Sequence, residues 1–182
     1  MVACHGTIEE RWGHEIILRA AALALPEVPN LRILFTGRGN YVPTMLQLVD
    51  ELGLQDVLQY PGFVSFPELG QLLMTAHVGV SAQKASEYSH VVQTGKMYEF
   101  LALGIPTIVT RLRSTAAYFT EGQVTYVEPD DHVDMARAFV ELAQSPQRLQ
   151  SLSDEGYAAY QTYRWEAQAM IYRDAIRRLL TR

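Results

Sequence analysis

Short runs of apolar, β-branched residues alternate along this chain with segments whose apolar positions recur at helical spacing. Residues 31–36 (Leu-Arg-Ile-Leu-Phe-Thr) form one such run, stopped by Gly37-Arg38-Gly39. Residues 56–60 form another, stopped by Pro61-Gly62, and further runs lie at 78–81, 106–110 and 124–127. Val2-Ala3-Cys4 is the stub of a sixth. Continuous apolar runs of this length are typical of parallel strands buried on both faces. Between them, residues 13–25 carry Ile16, Ile17, Ala20, Leu23 and Ala24 at helical spacing, ending at Pro26. Residues 42–52 repeat Met45, Leu46, Leu48, Val49 and Leu52, ending at Gly53. Shorter helices are predicted at 67–74 and at 95–103, the latter closed by Gly104 as its C′ residue. Beyond residue 130 the pattern is helical throughout, over 131–144, 146–160 and 165–180.

This alternation predicts an α/β fold: a Rossmann-like, doubly wound parallel sheet of about six strands with helices on both faces, right-handed crossovers and a helical C-terminal extension. With 182 residues and no repeat, low-complexity tract or linker, one domain is expected over 1–182. The apolar fraction of 48% and charged fraction of 19% are those of a globular protein. A chain this long buries roughly 70% of its unfolded surface and needs no staple. Net charge of −5 excludes capture of nucleic acid by the protein's overall field, though not by a local basic patch. The single cysteine, Cys4, excludes an internal disulfide framework and a multi-cysteine zinc site, and the five histidines show no i, i+4 pair. No apolar run reaches membrane-spanning length, and residues 1–6 lack the basic and apolar regions of a signal peptide, so the expected location is cytoplasmic.

In such a sheet, ligands bind beyond the carboxyl ends of the strands. His5-Gly6-Thr7 follows the first strand stub, where Gly6 admits a phosphate to the backbone, Thr7 offers a hydroxyl, and Arg11 lies near the next helix start. A plain tight turn with a surface arginine explains the same residues. Gly37-Arg38-Gly39 lacks the third glycine of a dinucleotide fingerprint, and reads first as a turn that lets the next helix pack. The run from Thr94 to Pro106 carries more. Thr94 suits an N-cap, the amides from Thr94 through Gly95 to Lys96 open a helix toward a diphosphate, and Lys96 adds a cation. Glu99, one turn on, can take both hydroxyls of a ribose. The competing reading is a solvated lysine and glutamate on an amphipathic helix. Glu87, Tyr88 and His90 precede that helix, and Glu87 or His90 could serve as acid or base, or simply belong to a polar loop. The last helix combines Arg164, Arg173, Arg177, Arg178 and Arg182 with Trp165, Tyr172, Ile176 and Leu179 on one face. A docked helix with a solvated face is the simpler reading, and contact with an anionic membrane the other.

Taken in order, these motifs resemble a known family. His5-Gly6-Thr7 with Glu10-Arg11-Trp12-Gly13 resembles the opening of the C-terminal half of GT-B glycosyltransferases of the glycosyltransferase 4 type. Residues 31–39 resemble its strand and glycine loop, and Pro61-Gly62-Phe63 its base-binding turn. Ala76-His77-Val78-Gly79-Val80 resembles a core strand, the run 96–106 its donor-site helix, and Arg164-Trp165 its ending. The resemblance spans nearly the whole chain. It implies a UDP- or GDP-linked sugar donor, no cofactor and no metal, with the sugar passed to an acceptor held by a separate N-terminal half. It places Glu99 on the ribose, the amides of 94–96 with Gly6, Thr7 and Arg11 near the diphosphate, and Phe63 and Val64 at the base.

The chain departs from the family's pattern at three positions. Val91 stands where many members have a first glutamate, Thr94 where a proline is usual, and Trp12 where a lysine commonly precedes the glycine. The first strand looks cut short, and the acceptor half is missing, so donor binding with little transfer is expected of this chain alone, and residues 164–182 are expected to dock on the missing half. Two other readings remain open: a non-catalytic nucleotide- or protein-binding domain of the same fold, and a response-regulator-like domain. The latter lacks the acidic pair after its first strand.

Overall fold

A computed structural model of the protein describes residues 1–180. Its centre is a six-stranded, all-parallel sheet in the order β3-β2-β1-β4-β5-β6. The strands are β1 (Val2–Thr7), β2 (Ile33–Arg38), β3 (Leu58–Gln59), β4 (Val78–Ser81), β5 (Thr107–Thr110) and β6 (Thr125–Val127). The helices are α1 (His14–Ala24), α2 (Val42–Glu51), α3 (Phe66–Leu73), α4 (Gly95–Ala102), α5 (Arg113–Ala116), α6 (His132–Gln144), α7 (Pro146–Tyr163) and α8 (Trp165–Leu180). The predicted fold class is therefore the observed one.

The two-sided burial follows from the period of two along each strand. In β1, Val2 and Cys4 join the core beneath α1, α2 and α6, whereas Ala3 joins the opposite cluster with Phe100 and Ile105. In β2, Ile33 and Phe35 face the first side and Leu34 the second. In β5, Ile108 and Val109 divide in the same way. Buried strands thus need apolar residues at every position, which is why they read as continuous runs. On one face α1 packs along α6; on the other, α4 packs against α7.

Three boundaries differ from expectation. The first strand is no stub: it runs to Thr7 and pairs with β2 at every residue, His5 opposite Thr36 and Thr7 opposite Arg38. Ladder pairing to a buried neighbour outweighs the weak strand propensity of His5 and Gly6. β3 is only two residues long, at the sheet edge, where one flank lacks a partner. The segment after β5 folds into α5, which the sequence did not announce; Thr115 stitches it by donating to Thr110 O and Leu112 O. The C-terminal extension divides as expected into three helices. α8 buries no residue on this chain, and Trp165 is 72% exposed. Of the basic residues noted at the chain end, Arg182 lies outside the described residues. No helix among the described residues is long and apolar enough to cross a membrane.

Helix and sheet approach closely at Gly79. A Cβ there would lie 2.3 Å from the nearest ring carbon of Phe100. Replacing Gly79 with alanine should therefore overpack α4 against β4 and destabilise by about 1–3 kcal/mol. Urea unfolding should show a lower midpoint for Gly79→Ala with little change in slope. Adding Phe100→Leu should restore part of the loss, and a purely additive double variant would contradict the contact.

Candidate functional site

The strand order reverses direction between β1 and β4, because the chain leaves β1 toward β2 on one side and returns through β4 on the other. Helices on the two flanks therefore diverge there and open a crevice beyond the carboxyl ends. Two glycines clear its floor. Gly6 and Gly37 pair across β1 and β2, and a Cβ on Gly37 would fall 1.7 Å from Gly6 O, so any other residue would break the crest. Gly37 also holds a φ of +139°, which side chains disfavour.

On one side of this crest lies a hollow of about 280 Å³ lined by His5, Gly6, Thr7, Thr36, Arg38, Phe63 and Val64, among others. The turn carrying Phe63 and Val64 is pinned to β2: Gly37 N and Thr36 Oγ1 both donate to Gly62 O, each at 2.8 Å. Tyr60 Oη donates to Gly37 O at 3.0 Å. The Arg38 guanidinium stacks 4.7 Å from the centroid of the Phe63 ring. On the other side lies a hollow of about 350 Å³ lined by His5, Gly6, Thr7, Trp12, Tyr88, Thr94, Gly95, Lys96 and Glu99, among others. His5, Gly6 and Thr7 border both, so the two form one cleft across the end of β1.

α4 points its N-terminus into the second hollow. Thr94 is at the N-cap position with extended backbone, but its side chain makes no capping bond; its Oγ1 instead meets Ser81 Oγ at 3.0 Å. The first-turn amides are thus left uncapped at the positive end of the helix. Lys96 follows them and is only 9% exposed. Its ammonium lies 3.9 Å from Cys4 Sγ and 5.0 Å from the centroid of the Trp12 ring. No carboxylate among the described residues pairs with it within 4 Å. It is therefore not the solvated surface lysine of an amphipathic helix.

Lys96 shapes the titration of its neighbours. Burial, reinforced by the Lys96 charge, pushes His5 down to about 4 and His14 down to about 3. Burial raises the Cys4 thiol against the opposing pull of Lys96. Burial also raises Glu99, with Lys96 again opposing. His5 Nε2 approaches Glu99 Oε2 to 3.4 Å but makes no hydrogen bond, and a neutral imidazole forms no ion pair with it. His5 is wedged edge-on against Phe100, at 5.0 Å between ring centroids. The Glu99 side chain, 49% exposed, stands free at the mouth of the cleft.

The predicted site residues separate into groups. Gly6, Thr7, Thr94, Gly95, Lys96 and Glu99 converge on one hollow, and Phe63 and Val64 line the adjoining one. Arg11 lines a different surface with Glu9, Glu10 and Lys84, although its guanidinium overhangs the Trp12 ring at 5.3 Å. Glu87 and His90 border neither hollow of the cleft. The Glu87 side chain is 97% exposed and meets Arg113 at 3.5 Å, while His90 Nδ1 accepts from Arg113 N. Trp12, Arg38, Thr36 and Tyr88 join the cleft lining without having been singled out for it. Two of them carry a visible signal: Arg38 as the side chain between two glycines at a strand end, and Trp12 as a departure from the family's pattern.

The family model described as "Glycosyl transferases group 1" matches residues 1–145. A chitobiosyldiphosphodolichol beta-mannosyltransferase of Yarrowia lipolytica is 26% identical over 140 residues, which cover 75% of this chain and 30% of that protein. The chain spans about a third of the length of the curated relatives it matches. Among solved structures, Anabaena Alr3699/HepE in complex with UDP-glucose superposes with a TM-score of 0.83 at 16% identity, covering 100% of this chain and 49% of that one. The sucrose-phosphate synthase of Thermosynechococcus elongatus superposes with a TM-score of 0.82 at 21% identity, covering 99% and 45%.

The two buried histidines generate a pH prediction. Both are held neutral in the fold and take up protons on unfolding, so their contribution is complete above the unfolded value near 6.5. It is lost as pH falls from there toward 4 for His5 and 3 for His14. Each should remove roughly 1 kcal/mol of stability per pH unit within its window. Urea midpoints at about pH 7 and about pH 5 should show the decline in the wild type and a shallower one in His14→Leu. Equal slopes would refute the assignment.

Proposed function

The chain belongs to the group 1 glycosyl transferases, and from that premise we propose that it binds a nucleotide-diphospho-sugar, UDP- or GDP-linked, as the donor half of a GT-B enzyme of the glycosyltransferase 4 type. The observation that carries this reading is Lys96: an ammonium nine-tenths buried, without a carboxylate, beside the uncapped amides of α4. Leaving a cation so placed without an anion is costly, and a diphosphate supplies the missing charge. Gly6 and Thr7 face the same hollow. Glu99 lies one helical turn beyond Lys96, where its exposed carboxylate can accept from two ribose hydroxyls. The turn holding Phe63 and Val64 then receives the base. The Anabaena neighbour is solved with UDP-glucose, in keeping with this reading.

In the reaction, the bond from the anomeric carbon to the diphosphate oxygen breaks as the acceptor oxygen bonds to that carbon and its proton passes to the departing diphosphate oxygen. Charge grows on the leaving diphosphate, and the Lys96 ammonium and α4 amides stabilise it without a metal ion. The family resemblance supports hexosyl transfer with retention at the anomeric carbon, and a role in glycan or polysaccharide synthesis inside the cell. The acceptor would be held by a separate N-terminal half, on which the exposed apolar stripe of α8 (Trp165, Tyr172, Ile176 and Leu179) would dock. Transfer by this chain alone should therefore be slight.

Calorimetric titration with UDP, GDP, ADP, UDP-glucose and UDP-N-acetylglucosamine tests the reading. One base should bind saturably. Glu99→Ala should weaken that nucleotide by about 1.5–3 kcal/mol, as for a lost charged hydrogen bond. Lys96→Ala should weaken the nucleoside diphosphate much more than the nucleoside. Failure of every nucleotide to bind the wild-type chain would overturn the donor assignment.

A further inference from the structure

Trp12 is the least expected member of the cleft. It ends a single 3₁₀ turn, Glu10–Trp12, whose backbone is fixed on both sides. Gly13, with a φ of +67°, donates back to Glu10 O, and Lys84 N donates to Arg11 O at 2.9 Å. The Lys84 side chain then ties the turn to α1 by meeting both Glu10 at 3.3 Å and Glu15 at 2.8 Å. The indole is thereby presented to the second hollow from a rigid mount.

Two cations share its ring: Lys96 Nζ at 5.0 Å and Arg11 Cζ at 5.3 Å from the centroid. Both are within the distance at which an aromatic face attracts a cation, and indole is the strongest such face among the side chains. Apart from the ring, the recorded polar contact of the Lys96 ammonium is the weak one to Cys4 Sγ. His5 and His14, whose titration its charge perturbs, are neutral and add no second positive charge beside it. The indole Nε1 is itself buried and has no hydrogen-bond partner. The ring therefore seats the Lys96 ammonium without adding a charge of its own to the hollow, and keeps one neutral donor unspent.

We propose that Trp12 is a positioning residue for the diphosphate, seating the Lys96 ammonium in the cleft so that it meets the phosphate oxygens. This rests on the donor reading above. Trp12 thereby does with an aromatic face what a further cation in the loop would do by charge, and it leaves a single ammonium rather than two in the hollow. A purely structural tryptophan would affect every ligand alike. A seat for Lys96 affects only ligands that carry phosphate.

The test compares wild type, Trp12→Phe and Trp12→Leu by calorimetry, each titrated with UDP, uridine and inorganic pyrophosphate (GDP and guanosine replacing the first two if that base is the one bound). UDP and pyrophosphate should weaken in the order Trp, Phe, Leu, by about tenfold at Leu, while the nucleoside changes by less than about twofold. In a Lys96→Met background, Trp12→Leu should cause little further loss, because the interaction it removes is already gone. Equal losses for nucleoside and diphosphate, no loss at all, or full additivity with Lys96→Met would each overturn the proposal. Should Trp12→Leu fail to fold, Trp12→Phe decides alone: it must weaken UDP severalfold with uridine unchanged. A wild type that binds neither a nucleoside diphosphate nor pyrophosphate refutes the donor reading and this proposal together. A wild type that binds, with Trp12 variants that bind equally well, refutes this proposal only.

Discussion

An ammonium group taken out of water costs several kcal/mol unless something nearby replaces its hydration. Lys96 is such a group, and around it the fold places a thiol, two neutral imidazoles and an indole face, with no carboxylate among the described residues within 4 Å of its ammonium. A carboxylate would have satisfied the charge permanently and closed the site. Soft and neutral neighbours satisfy it only in part, leaving a positive potential at the head of α4. Burial depresses His5 and His14 and the same charge adds to that, while it opposes the burial that raises Glu99. Stability and site electrostatics are therefore linked through one side chain.

That arrangement depends on how the sheet ends. Lys96 reaches over the end of β1 at Gly6, whose φ of +102° favours glycine; a Cβ there would make only ordinary contact with Lys96 Cε, at 4.0 Å. Gly37 must be bare, since its backbone lies directly against Gly6 O. The paired glycines let both hollows meet across one strand end, and Thr36 and Gly37 fasten the turn after β3 beside them. A ligand lying across this crest would touch two strand ends, one helix terminus and one turn, all set by the sheet rather than by mobile loops.

How legible this was in the sequence varies with the range of the interaction involved. The α4 segment stood out because its signals are local: an N-cap position at Thr94, a cation at Lys96, a closing Gly104 with φ +67°. The parallel strands stood out because burial on both faces leaves continuous apolar runs. β1 was read short because His5, Gly6 and Thr7 look like a turn; only the ladder to β2 makes them strand. Phe63 and Val64 follow a predicted strand end, but only the family resemblance gives them a role, since what pins their turn is a backbone carbonyl, Gly62 O. Trp12 registered as a departure from a pattern, and its partner Lys96 lies on a different element, so no local signal connects them. Arg11 and Trp12 are neighbours in sequence, yet Arg11 lies over the ring while lining a separate surface from the main cleft.

The surfaces left apolar extend the same logic outward. Electrostatic stabilisation of a leaving diphosphate is strongest where water is excluded, and both hollows are open to solvent on this chain. Phe63, Phe66, Tyr88 and Val91 are exposed, the first and third of them on the rim of the cleft. α8 presents Trp165, Ile171, Tyr172 and Leu179 with none of its residues buried on this chain. Apolar side chains gathered in this way favour covering by another surface. On the donor reading, the covering body is the half that holds the acceptor. Its closure would then dry the cleft and strengthen the field of Lys96 at the breaking bond.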